Sequence, residues 1–189
     1  GAEGPFIKVN RVRCRVHVRP AVGFDNIDVA RWAGHGIPVC NTPDYGTMEV
    51  ADHAMALMLS LMKSIAFHDE RLREDPRGNW MPALNPFGKR LSICTFGIVG
   101  LGRIGTATAL RAKAFGMNVV FYDPYKPNGS DLALGIKRAD SLAELFAQSD
   151  VVSLHAPSSE ETRGLIGRDV FAAAKKGMIL VNTARGAIV

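Results

Sequence analysis

Cysteine, long apolar runs and a sustained charge of one sign are all scarce in this sequence. The only cysteines are Cys14, Cys40 and Cys94, with no C-x-x-C spacing. No zinc site or redox pair is therefore expected, and an odd number cannot pair fully within the chain. Cys94 lies in an apolar run and reads as a small core residue; a reducing, cytoplasmic setting is the simplest expectation. No apolar run reaches the roughly 18 residues that a membrane span requires, so no membrane partner is expected. No signal-peptide pattern opens the chain. It begins at Gly1 instead of Met, which leaves room for a preceding segment. The formal charge of +5 is concentrated at the start, where Lys8, Arg11, Arg13, Arg15 and Arg19 face only Glu3, a net +4. The rest is nearly neutral, so nucleic acid is not the expected partner. These basic residues alternate with Val12, Cys14, Val16 and Val18, as in a strand with one solvated face. Arginines on such a face also discourage edge pairing.

What is present suits a globular α/β chain. Of 189 residues, 47% are hydrophobic and 22% charged, enough for a sizeable core in one domain or slightly more. A glycine-bearing turn at Val22-Gly23-Phe24-Asp25-Asn26 precedes a short helical segment from Ile27 to Gly36 and a brief strand from Ile37 to Cys40. The longest helical pattern runs from Thr47 to about Asp75, with Thr47 as N-cap and Pro76 and Gly78 as the stop. Val50, Ala54, Leu57, Met58, Leu61, Met62 and Ile65 mark its buried stripe. Met55, Met58 and Met62 read as core, not as an adaptable docking groove. A Pro- and Gly-bearing connector follows, near residues 76 to 92.

From Ile93 the rhythm becomes regular. Apolar strands are expected at Ile93 to Val99, Asn118 to Tyr122, Asp150 to Leu154 and Met178 to Asn182. Helices are expected at Arg103 to Phe115, Ser141 to Gln148 and Asp169 to Lys176. Continuous apolar strands alternating with helices predict a doubly wound parallel sheet covered on both faces.

Gly100-Leu101-Gly102-Arg103-Ile104-Gly105 has the form G-x-G-x-x-G, and Asp123 lies 23 residues after Gly100. The motif follows a strand and opens a helix, which makes it a dinucleotide fingerprint and not a chance run of glycines. Gly100 permits the tight turn, Gly102 the close approach of a pyrophosphate, and Gly105 the packing of helix on strand. The helix N-terminus offers amides and a positive dipole end to the phosphates. Asp123 can accept from the adenosine ribose hydroxyls and repels a 2′-phosphate, so NAD is the expected cofactor rather than NADP.

Five motifs in order then resemble the D-isomer-specific 2-hydroxyacid dehydrogenases. They are Val22 to Asp28, Val50-Ala51-Asp52-His53, Gly100 to Gly105, Asp150 to Pro157 and Val181-Asn182-Thr183-Ala184-Arg185-Gly186. Arg111 to Gly116 and Phe121 to Tyr125 look closest to the branch containing the C-terminal binding protein corepressors. The resemblance implies an NAD-dependent oxidoreductase that moves hydride between a nicotinamide and a D-2-hydroxy acid or 2-keto acid. It implies a Rossmann-type sheet, incomplete here, at 93–189, a helix and connector at 47–92, and a remnant of a flavodoxin-like substrate domain at 1–46. Arg185 matches the arginine that holds substrate carboxylate and carbonyl. Val22 and Gly23 match the turn that grips the carboxylate from the other domain. Ala156, Pro157, Thr162, Thr183 and Ala184 match positions lining the cofactor groove. His155 reads as structural or groove-lining. The family's catalytic glutamate and histidine would fall beyond Val189, so the chain alone is expected to be inactive. A homodimer through the helix of residues 47 to 75 is implied by analogy. The alternative is an NAD(H)-sensing, corepressor-like interaction module, which would allow a nuclear location.

Overall fold

The computed structural model describes residues 14–80 and 88–189 and forms two compact units, Gly1–Thr47 and Met48–Val189. In the first, β1 (His17–Arg19) pairs in parallel with β2 (Val39–Asn41). The helix α1 (Val29–Gly34) lies between them in sequence and is capped by Asp28, whose Oδ1 accepts from the Arg31 amide at 2.9 Å. The expected wet face of arginines is kept at the exposed Arg15 but reversed over β1. Val16 and Val18 are exposed, while Arg19 is half-buried and donates from Nε to the Gly23 carbonyl. The physical reason is that His17 stacks on Trp32 of α1, with ring centroids 4.6 Å apart, so the covered face is the one carrying His17 and Arg19. Lys8, Arg11, Val12 and Arg13 lie outside the described residues.

The expected continuous helix is two helices, α2 (Thr47–Met62) and α3 (Ile65–Glu74), bent by 54°. Ser64, buried and in the left-handed region at φ 50°, makes the break. Neither glycine nor proline marks that position, so helical periodicity runs through it unbroken. Thr47 is not a side-chain cap: it lies within the helix, and its buried Oγ1 has no hydrogen-bond partner among the described residues. The buried stripe is also rotated. Ala51, Ala54, Met55, Met58 and Met62 are buried, while Leu57, Leu61 and Ile65 are exposed. Both sets recur at helical spacing because α2 is apolar on more than one face, and only packing selects between them. The three methionines are core as expected. No single described helix is long and apolar enough to cross a membrane.

Five parallel strands make the main sheet: β3 (Thr95–Val99), β4 (Asn118–Tyr122), β5 (Lys137–Arg138), β6 (Val151–Leu154) and β7 (Ile179–Asn182), in the order β5-β4-β3-β6-β7. The helices α4 (Arg103–Ala114), α5 (Ser130–Leu134), α6 (Leu142–Gln148) and α7 (Arg168–Ala172) alternate with them. Sequence periodicity misses α5 and β5, which are too short to show a period. It also runs α7 on to Lys176, whereas the helix ends at Ala172. The first strand starts two residues later than expected because Leu91–Ile93 forms a single 3-10 turn.

Alternate strand residues point to opposite faces, and both faces are covered. Phe96, Ile98, Val119, Phe121, Val151, Ile179 and Val181 pack with the buried residues of α2 and with Ala109 and Ala112 of α4. Val99, Val120, Val152 and Leu154 pack with Leu145 and Phe146 of α6. That two-sided burial is why these strands read as continuous apolar runs. Phe96, Phe121 and Phe146 are fully buried, each contributing about 1.5–3 kcal/mol through removal from water.

Candidate cofactor site

Strand register builds the site. Val99 pairs with Tyr122 and with Leu154, and Leu154 pairs with Asn182. The last residues of β3, β4, β6 and β7 therefore lie in one row. Gly100, Asp123, His155 and Thr183, each following one of those residues, stand along the carboxyl edge of the sheet. The chain proceeds from β3 outward to β4 and β5, then returns to the other side of β3 at β6. That reversal is the switch point at which open α/β sheets bind ligands.

The glycine turn has a specific steric cause at each position. Gly100 adopts φ 88°, and a Cβ there would lie 2.9 Å from the Ala156 amide nitrogen. A Cβ at Gly105 would lie 2.1 Å from the Gly100 oxygen. Gly102 differs: a Cβ would meet nothing within 4 Å, so the first turn of α4 is open to an approaching group. Gly102 is the N-cap and has no side chain to close that terminus. Arg103 and Ile104 begin the helix, with Arg103 exposed and Ile104 half-buried. A helix N-terminus at the edge of a close-packed glycine turn suits a diphosphate, so the residues present fit a dinucleotide.

Asp123 is half-buried at the end of β4. Its Oδ2 accepts from the Leu101 amide at 2.9 Å and its Oδ1 from the Tyr125 amide at 3.0 Å. The carboxylate is thus tied to the glycine turn while both oxygens keep acceptor capacity for hydroxyl groups. The Tyr125 hydroxyl donates to Glu161 at 2.5 Å, joining the loop after β4 to the loop after β6. Glu161 holds the Tyr125 phenol above its ordinary range.

At the end of β6, Ala156 is buried and Pro157 exposed. Thr162 Oγ1 donates to the Pro157 carbonyl at 2.6 Å and accepts from the Ser159 amide at 2.8 Å, so it fastens its own loop. His155 is half-buried beside Ser153, with Nε2 2.9 Å from the serine hydroxyl. Burial pushes its pKa down to about 4, so it is a neutral ring near pH 7.

At the end of β7, Thr183 Oγ1 is buried without a hydrogen-bond partner among the described residues. Asn182 shapes the turn that follows: its Oδ1 accepts from the Ala184 amide at 3.0 Å and its Nδ2 donates to the Arg185 carbonyl at 2.9 Å. Arg185 is exposed there and donates from Nη1 to the Ala184 carbonyl at 2.8 Å. In the first unit, the Val22 carbonyl accepts from Asn41 Nδ2 at 2.8 Å and the Gly23 carbonyl from Arg19. The structure thus brings the glycine turn, Asp123, Ala156, Pro157, Thr183, Ala184 and Arg185 to one edge of the main sheet. Asn182, Tyr125 and Glu161 stand outside the fingerprint residues; for Asn182 the signal in the sequence is an amide side chain at a strand end, which favours a turn two residues on.

Comparison with known proteins agrees with this geometry. Residues 55–189 match the family described as "D-isomer specific 2-hydroxyacid dehydrogenase, NAD binding domain". A glyoxylate reductase of Korarchaeum cryptofilum is 41% identical over 180 residues, covering 94% of this chain and 53% of the relative. C-terminal-binding protein 1 of Caenorhabditis elegans is 37% identical over 178 residues, covering 93% of this chain and 24% of the relative. Among solved structures, D-lactate dehydrogenase from Aquifex aeolicus, complexed with NAD and lactic acid, superposes with a TM-score of 0.84 at 35% identity, covering 93% of this chain and 51% of that one. The chain thus spans about half the length, or less, of these relatives. The glycine turn, the carboxylate after β4 and the match over residues 55–189 together place the chain in the D-isomer specific 2-hydroxyacid dehydrogenase family, of which it carries the NAD-binding domain.

Proposed function

We propose that the protein interconverts a small 2-keto acid and its D-2-hydroxy acid, with NAD(H) held on the edge of the main sheet. The observation that carries this reading is the Arg185 turn, which Asn182 fixes at the same sheet edge as the glycine turn. Bound NADH would supply hydride to the carbonyl carbon of the substrate. Gly102, Arg103, Ile104 and Gly105 receive the diphosphate at the α4 N-terminus. Asp123 accepts from the adenosine ribose. Ala156, Pro157, Thr162, Thr183 and Ala184 line the remainder of the groove, with the buried Thr183 hydroxyl supplying a polar contact. The Arg185 guanidinium grips the substrate carboxylate and stabilises the developing oxyanion.

His155, with its depressed pKa, is not the proton donor, since a donor must be protonated near the working pH. We propose that the 189 residues alone bind cofactor without turnover. A homodimer through α2 and α3 is part of the proposal, supported by the exposed Leu57, Leu61 and Ile65, as is a cytoplasmic location. A second reading, an NAD(H)-responsive corepressor with nuclear access, is favoured by the likeness to C-terminal-binding protein 1.

The test is a fluorescence titration with NADH and NADPH, beside Asp123→Ala and a turnover assay on glyoxylate, pyruvate and hydroxypyruvate. Saturable NADH binding that exceeds NADPH binding, with the preference lost in Asp123→Ala, supports the cofactor site. A folded chain that binds neither nucleotide overturns it. Turnover by the 189 residues refutes the expected inactivity. NADH-dependent peptide capture, with no keto-acid reduction by a longer form of the protein, moves the conclusion to the second reading.

A further inference from the structure

Arg138 occupies the two-residue edge strand β5, opposite Phe121 in register. Its Nη2 donates to the main-chain carbonyls of Asp123 at 3.0 Å and Lys126 at 2.9 Å, and its Nη1 to that of Pro127 at 3.5 Å. The guanidinium carbon lies 5.7 Å from the centroid of the Phe121 ring. One side chain from a neighbouring strand therefore gathers three carbonyls of the Asp123–Pro127 turn, using a planar fork that a lysine does not possess.

The consequence falls on Asp123. Its carboxylate is bound by two backbone amides, those of Leu101 and Tyr125, while the nearby cation is spent on carbonyl oxygens. A carboxylate bonded directly to an arginine would have less charge to direct at ribose hydroxyls, and less with which to repel a phosphate. Holding the turn by its carbonyls constrains the direction of the carboxylate without an ion pair to it.

We propose that Arg138 is the positioning residue for adenosine-ribose recognition, setting the preference for NAD over NADP by holding the Asp123–Pro127 turn so that Asp123 faces the glycine turn. This rests on the NAD reading of the site and deepens it. Arg138 touches no reacting atom and acts only through Asp123.

The test is a double-mutant cycle on the 189-residue chain, with NADH and NADPH each titrated by nicotinamide fluorescence. The variants are Arg138→Met, Arg138→Lys, Asp123→Ala and the double Arg138→Met/Asp123→Ala. Arg138→Met is expected to weaken NADH by about tenfold, the size of losing one or two hydrogen bonds from a charged donor. NADPH, which Asp123 already repels, should change little, so the selectivity ratio narrows by the same factor. Arg138→Lys keeps the charge but not the fork, and is expected to restore only part of the loss. In the Asp123→Ala background, Arg138→Met should have no further effect on NADH, the non-additivity that marks two residues acting as one unit. Equal weakening of both nucleotides, or full additivity with Asp123→Ala, overturns the proposal and leaves Arg138 a merely structural contact. If Arg138→Met does not fold, the selectivity ratio of Arg138→Lys decides: an unchanged ratio overturns the proposal. Failure of the unsubstituted chain to bind NADH removes the NAD reading itself, and this proposal with it.

Discussion

Replacing Gly105 by alanine separates two roles that the glycine turn combines. The new Cβ falls 2.1 Å from the Gly100 carbonyl oxygen and 3.2 Å from its carbon. A Cβ contact below 3.0 Å is not tolerated, so α4 and the turn must part by about 1 Å, an overpacking that costs about 1–3 kcal/mol. The obstructing atom is backbone, so no rotamer change relieves the clash. The amides at the start of α4 move with the helix, so NADH affinity should fall. Gly102→Ala is the control, since its methyl meets nothing within 4 Å in the protein. Its stability should change by about 1 kcal/mol or less, the scale of an N-cap substitution, while NADH binding falls because the methyl stands where the diphosphate must approach. Urea denaturation followed by circular dichroism, with an NADH titration on each variant, distinguishes the two. Gly105→Ala should lose both midpoint and affinity, and Gly102→Ala affinity alone. A Gly105→Ala chain with unchanged midpoint and affinity, or a Gly102→Ala chain that binds NADH normally, refutes this account of the turn.

Two further outcomes follow from burial. His155 titrates at about 4 in the fold against 6.5 for an ordinary imidazole, so the unfolded chain binds its proton at a higher pH than the folded one. The corresponding stability is fully present above pH 6.5 and lost as pH falls toward 4, by at most about 3.4 kcal/mol. Urea denaturation at pH 7 and pH 5 should show this loss, and His155→Gln should reduce it; an equal loss in the variant would assign the effect to other groups. On α2, Met58→Ala should cost about 2–5 kcal/mol because the side chain is fully buried, leaving a cavity. Leu61→Glu should leave the midpoint of the monomer near its original value, and sedimentation should show loss of the dimer. A dimer that survives Leu61→Glu argues against the α2 interface.

The parts of the site that depend on local steric rules were legible in the residues. Gly100, Gly102, Gly105 and Asp123 carry their spacing in the chain, and each has a backbone reason for its identity. The strands β3, β4, β6 and β7 were legible because burial on both faces leaves uninterrupted apolar runs. Short elements were not: β5 has two residues and no period, so Arg138 gave no sign that it would gather the carbonyls of a turn 12 residues away. The break at Ser64 was hidden because a left-handed serine between two helical segments leaves the apolar spacing intact.

Sequence alone determined the α/β class, the nucleotide turn and the residue types at the sheet edge, because these follow from periodicity and from sterics within a few neighbours. Tertiary structure decided which stripe of α2 faces the core, since two apolar faces compete and only the sheet surface opposite can choose between Met55 and Leu61. It also decided that Gly97 is closely packed, because a Cβ there would lie 2.4 Å from the Ser149 hydroxyl and 3.3 Å from Leu145 Cγ, an approach set by packing against the end of α6. And it decided what holds Asp123 in place, because beside the local Tyr125 amide the groups that do so come from the turn after β3 and from β5, brought together only when the strands align.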